Sequence, residues 1–292
     1  MLWQLTVNGI IAGAVYALVG VGFALIYNVA RFFNFAHGVV FTLGAYIAFL
    51  FTSVVQLPLL LALPMAVLLT ALIGCGLDLV VFAPLRRKSS APLVLLLSSL
   101  GIYIVLQNLI SIAFGDDIKT IRSGGVGQRI ALLGAQVTST QIVIVLTSAL
   151  VLVALIVFLR ATKIGEAIRA VSSDPELAKV CGIESDRVVL CTFGIGSALA
   201  AIAGILVAFD VDLTPTMGLN ALMMGIVAVI IGGIGSVPGV ALGALLLGLA
   251  QHLGVWKISS QWQDAIAFVI LLAFLLVRPE GFLGKSVGKA RV

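Results

Sequence analysis

Two stretches set polar and glycine residues between long apolar runs: Asn34-Phe-Ala-His37-Gly38, shortly after Arg31, and Gly232-Gly233-Ile-Gly235-Ser236-Val-Pro-Gly239. Non-helical backbone at membrane depth survives only against protein or a water-filled cavity, so Asn34, His37, Gly38, Gly232, Gly233, Gly235 and Ser236 are candidates to line a route for a polar solute. Close helix packing is the other reading of the same glycines. Bond-making chemistry finds no support. The two histidines, His37 and His252, fall on opposite sides of the expected membrane without a Cys or carboxylate cluster, so no metal site is expected. No serine sits in a nucleophile elbow and no His–carboxylate pair shows in the spacing. Gly281-Phe-Leu-Gly284-Lys285-Ser286 comes nearest to a phosphate-cradling loop, but Pro279 stands where the first glycine must be. The chain is therefore not expected to be an enzyme, and ATP must be handled elsewhere.

The most polar stretch, 160–187, carries the signals of short helices. Gly165 precedes Glu166–Ser172, with Ala167, Ile168 and Val171 on one face. Asp174 reads as an N-cap, with Pro175 at the first helical position, Glu176 in the first turn and Gly182 suited to the position after the helix end. Such a pair could dock into a partner's groove; a solvated, ordinarily capped loop is the alternative.

Apolar elements must position these residues. The 292 residues are 61% hydrophobic and 10% charged, with mean hydropathy +1.24, whereas a soluble domain is about 25% charged. Stretches of spanning length recur throughout, without the alternation of a β-barrel. The fold class expected is all-α: a polytopic integral membrane helical bundle with broken or re-entrant helices. Spans are placed near 5–27, 36–55, 59–83, 92–114, 139–159, 188–209, 220–235, 238–254 and 262–277. The run 220–254 forms either two crossings or one re-entrant hairpin, which gives seven to nine crossings. The first span lacks the flanks of a signal peptide and is expected to be retained.

An outside N-terminus places thirteen of the seventeen Lys and Arg on inner segments, leaving Lys119, Arg122, Arg129 and Lys257 outside. One domain, 1–292, then has a periplasmic loop 115–138, a cytoplasmic loop 160–187 and a cytoplasmic tail 278–292 that includes Lys285, Lys289 and Arg291. Topology accounts for the net charge of +5, so no nucleic-acid partner is expected; the basic tail suits anionic membrane lipid. Cys75, Cys181 and Cys191 suit apolar packing or free cytosolic thiols. Asp78, eight residues before Arg86, suits a charge pair or a snorkelling carboxylate, while Asp210, Asp212 and Asp264 fall near the outer interface.

The order Gly165-Glu-Ala-Ile-Arg169-Ala-Val-Ser-Ser-Asp174-Pro-Glu176-Leu-Ala178-Lys-Val-Cys-Gly182-Ile183 resembles the coupling loop of branched-chain amino acid permeases of ATP-binding-cassette importers, LivH type. The resemblance continues in Asn34–Gly38, in Gly232–Gly239 and in Arg278-Pro-Glu-Gly281. It implies a bacterial inner-membrane importer of branched-chain or other hydrophobic amino acids. The expected partners are a second related permease, two cytoplasmic ATP-binding subunits holding ATP and magnesium, and a periplasmic substrate-binding protein. This chain would hold no cofactor. Contact to an ATP-binding subunit would fall to Gly165, Glu166, Arg169, Ala170, Asp174, Glu176, Ala178, Gly182 and Ile183. Val39 stands where family members often have an acidic residue, and Gly218–Gly225 where many carry Phe with Lys or Arg. Related permeases carry urea or short amides, which is the alternative cargo. A stand-alone secondary transporter or channel would need ion-coupling or filter groups within the membrane, and too few are present.

Overall fold

The computed structural model describes residues 2–121, 129–132, 135–257 and 259–284. Arg122, Lys285, Ser286, Lys289 and Arg291, like the side chain of Arg129, lie outside the described residues. The helices are α1 (Leu2–Ala30), α2 (Ala36–Phe49), α3 (Leu59–Leu77), α4 (Ala83–Arg87), α5 (Pro92–Phe114), α6 (Ser139–Ala161), α7 (Lys163–Ser173), α8 (Pro175–Val180), α9 (Ser185–Asp210), α10 (Met217–Gly232), α11 (Val237–Gly254) and α12 (Gln263–Val277). π-helical turns prolong α2 over Leu50–Val54 and join α3 to α4 over Asp78–Phe82. Strands β1 (Arg129–Leu132) and β2 (Ala135–Thr138) pair antiparallel within the loop expected to be periplasmic. The chain is otherwise a helical membrane bundle, with eight helical stretches among the described residues long and apolar enough to cross a bilayer.

Helix ends follow local chemistry. Pro92 opens α5, where its missing N–H and fixed φ suit the first turn. Thr138 and Gln141 form a reciprocal capping box at α6, with Gln141 N–H donating to Thr138 Oγ1 at 3.3 Å and Thr138 N–H to Gln141 Oε1 at 3.1 Å. Several spans run past their expected limits: 5–27 becomes Leu2–Ala30, and 59–83 continues through the π-turn to Arg87. Apolar counting misses these ends because Gln4, Asn28, Arg86 and Arg87 stay helical beyond the hydrophobic stretch.

α1 is the centre of the molecule. In its most apolar 18-residue window 83% of residues are buried, against 6% for Ser260–Val277 at the periphery. It packs chiefly on α11 and also on α9, α10 and α6. A helix apolar all round needs burial or lipid on every side, and α1 finds protein. Glycine permits the approach: a Cβ on Gly9 would stand 2.9 Å from the Gly248 carbonyl oxygen of α11, and one on Gly20 would stand 2.9 Å from that of Gly225 in α10.

The bundle has two distinct ends. At one, Gln4 of α1 exchanges hydrogen bonds with the Gln136 backbone at 2.8 and 3.0 Å, and Lys119 pairs with Leu213. At the other lie Arg31, the α4 arginines, α7, α8 and the segment after α12. α10 runs from the first end to the second and α11 returns, so the break between them is a turn between two traversals. The span placed at 220–235 ends at Gly232, where the expected glycine-rich break begins.

Candidate functional site

α7 and α8 form a bent helical pair. Thr162 caps α7, its Oγ1 accepting from Gly165 N–H at 3.0 Å. Gly165 therefore sits in the first turn rather than before it, pressed on the Leu159 backbone where a Cβ has no room. Gly165, Ile168 and Val171 bury one face, at the spacing of a helix stripe. Asp174 Oδ1 accepts from Glu176 N–H at 2.9 Å and Leu177 N–H at 3.0 Å, which makes it the N-cap of α8 with Pro175 behind it. Gly182 closes α8 at φ +83°, and its N–H donates to Lys179 O at 2.9 Å.

The nine coupling candidates divide by environment. Glu166, Arg169, Asp174, Glu176 and Gly182 are exposed, Gly165 and Ala178 are buried, and Ala170 and Ile183 are half-buried. The second group holds the pair against the bundle and leaves the first facing outward. Between them α8 exposes Leu177 and Val180, at 65% and 87%, one helical turn apart. The sequence reading passed over both; the signal available for them was two large apolar side chains within the polar stretch 160–187.

The first break spans Arg31–Phe35. Arg31 takes φ +59°, and its guanidinium donates to the Ser172 carbonyl at the end of α7. Phe35 N–H donates to Ser99 Oγ of α5 at 3.0 Å. His37 and Gly38 are already in α2, not beside the membrane. The His37 ring is 1% exposed, lies against Gly22 of α1 and meets Phe23 edge-on at 6.4 Å. Gly22 is eight residues, about 12 Å, from the α1 end. Asn34 Oδ1 has no hydrogen-bond partner among the described residues, and the His37 ring faces the Val19 backbone of α1. Gly38 packs on the Gly218 backbone of α10.

In the second break Gly233 and Gly235 adopt φ +98° and +100°, a region that disfavours side chains. Ser236 Oγ caps α11, accepting from Gly239 N–H at 3.1 Å. Phe282 N–H donates to Ile231 O at 2.9 Å, and Leu283 N–H to Gly232 O at 3.0 Å, so the segment after Arg278-Pro-Glu-Gly281 is stitched to this break. Gly235 and Ser236 also share a cleft of about 280 Å³ with Asn28 of α1, Arg160 of α6, and Arg169 and Ser172 of α7. α7 thus lies beside both breaks, through the bond from Arg31 to Ser172 and the cleft shared with Gly235 and Ser236. Asn34 and His37 remain apart from Gly232–Ser236: the former pack on α1 and α5, the latter on residues 280–284.

Two further polar features complete the site. Arg86 meets Asp78 through both nitrogens, at 2.6 and 3.2 Å, with Asp78 1% exposed; the charge pair is the outcome of the two expected for Asp78. At the opposite end, Asp210, Asn8, Tyr16, Gln141, His252 and Gln263 line a cleft of about 430 Å³. Its residues come from five helices, and no local pattern announces it.

Residues 5–275 match the protein family described as branched-chain amino acid transport system / permease component. The high-affinity branched-chain amino acid transport system permease protein LivH of Salmonella typhimurium is 35% identical over 291 residues, covering 95% of this chain and 94% of the relative. The corresponding BraD protein of Pseudomonas aeruginosa is 34% identical over 295 residues, covering 97% and 95%. The ribose import permease protein RbsC of Haemophilus influenzae is 29% identical over 283 residues, covering 93% and 83%. With its helical bundle and its motifs in order, the chain belongs to the family of branched-chain amino acid transport permease components.

Proposed function

We propose that this chain is the permease subunit of an ATP-driven importer that passes branched-chain or other hydrophobic amino acids, delivered by a periplasmic binding protein, into the cytoplasm. The full machine comprises a second related permease and two cytoplasmic ATP-binding subunits that carry ATP and magnesium. The observation that carries this reading is the position of α7. Its last turn accepts a hydrogen bond from Arg31 at one helix break, and its Arg169 and Ser172 line the same cleft as Gly235 and Ser236 at the other. A displacement of α7 by an ATP-binding subunit would reach both breaks at once, because a helix moves as a rigid rod. The end bearing α7 is cytoplasmic and the end bearing the β1–β2 hairpin periplasmic, a sidedness that the Lys and Arg asymmetry supports. Asn34, His37 and Gly232–Ser236 line the route of the solute.

Reconstitution tests it. The complete transporter in proteoliposomes accumulates leucine, isoleucine or valine only with ATP and a loaded binding protein. Ion-driven uptake by this chain alone would refute the proposal. Arg31→Ala lowers ATP-driven uptake severalfold while the ATP-binding subunit still co-purifies, since the bond lost is internal to the permease. Unchanged uptake would remove α7's tie to the first break from the mechanism.

A further inference from the structure

α6 presents one apolar stripe to the outside of the bundle. Leu146, Leu150, Val153 and Val157 are exposed at spacings of four, three and four residues, which puts them on one side of the helix. They span about 16 Å along the axis, close to the depth of one leaflet of a hydrocarbon core about 30 Å thick. Arg160 follows three residues later on the same side, in the last turn of α6 and at the end of the bundle that bears α7.

At Arg160 the stripe meets a polar cleft. This cleft of about 280 Å³ is lined by Arg160, by Arg169 and Ser172 of α7, by Asn28 of α1 and by Ser236 at the start of α11, and none of its lining residues is acidic. Neither the Arg160 nor the Arg169 guanidinium has an ion pair or hydrogen bond among the described residues. Arg31 stands beside them, its guanidinium donating to the Ser172 carbonyl. Three permanently charged groups are thus gathered at the foot of the stripe, and no carboxylate lines the cleft to balance them.

Charge and shape select the occupant together. A guanidinium fork matches the oxygens of a phosphate, and basic pockets between membrane helices take anionic headgroups. A soluble anion would fill the cleft alone, whereas a phospholipid fills the cleft and covers the stripe that leads to it. We propose that the cleft holds the phosphate of an anionic phospholipid, with the headgroup between Arg160 and Arg169 and the acyl chains along α6. The headgroup then joins α7 to α1, α6 and α11, steadying the helix pair that the proposed function assigns to coupling. The binding itself is independent of that reading, since it needs only a bilayer around the bundle.

Titration of lipid into the delipidated full-length permease in detergent, read by native mass spectrometry, tests it. Phosphatidylglycerol is expected to bind and to slow hydrogen exchange across Lys163–Ser173, while phosphatidylcholine and inorganic phosphate do neither. Arg160→Gln weakens phosphatidylglycerol binding about five-fold, and Arg160→Lys retains most of it because the charge remains. Equal binding of phosphatidylcholine, or equal slowing by inorganic phosphate, would overturn the anionic lipid. Binding lost in Lys285→Gln with Lys289→Gln and Arg291→Gln, but kept in Arg160→Gln, would assign the lipid to the C-terminal tail and overturn the cleft. Unchanged lipid binding by Arg160→Gln together with poorer recovery of an ATP-binding subunit would give the cleft to an acidic side chain of that partner instead. Reconstituted uptake decides the importer reading separately.

Discussion

Asp78 and Arg86 show how backbone geometry decides a side-chain contact. Eight residues of uninterrupted α-helix would leave them about 80° apart around the axis. The π-turn Asp78–Phe82 takes up that rotation, bringing both carboxylate oxygens to the guanidinium. Asp78→Leu strands Arg86 and destabilises the protein by about 3 kcal/mol, read as a lower melting temperature in detergent. Adding Arg86→Met restores most of the loss, because the remaining charge goes too. His37 is a different case, buried beside Gly22, Phe23 and the Val19 backbone with no charged group paired to it among the described residues. His37→Ala and Asn34→Ala abolish uptake while recovery of the assembled complex stays unchanged. Normal uptake with a lowered melting temperature would assign these residues to packing alone. The residue types at both places were legible in the sequence. The π-turn was not, since it reflects how α3 and α4 must rotate to pack.

Among the elements, α7 and α8 were the most legible, because caps are local chemistry. Asp174, Pro175 and Glu176 are adjacent in the chain and act on N–H groups two and three residues away. Thr162 was overlooked as the cap of α7, and Gly165 was consequently read as preceding the helix whose first turn it occupies. Gly182→Ala costs about 1 kcal/mol at φ +83°, which loosens the end of α8 and lowers ATP-binding-subunit recovery modestly. Leu177→Asp with Val180→Asp reduces that recovery far more, with no change in the permease's own melting temperature, since both side chains face outward. Retained recovery would show that α8 does not seat the ATP-binding subunit.

For the molecule as a whole, charge asymmetry predicts sidedness directly. Cys181, free and exposed at the end of α8, reacts with a membrane-impermeant maleimide in inverted vesicles and is protected in intact cells; the reverse labelling would invert the topology. Composition, apolar run length and capping residues by themselves determined a helical membrane protein, its approximate spans and the α7–α8 pair, because lipid solvation and caps act on neighbours in the chain. Only the tertiary structure decided that α1 is central, that Arg31 reaches Ser172, that Gly233 meets Gly281 and Gly284, and that Arg160 and Arg169 share a cleft at the foot of α6. Those facts depend on residues far apart in the chain, 141 positions for Arg31 and Ser172 and more for the approach of Gly9 to Gly248, and helices apolar all round carry no periodic signal of which neighbour they face.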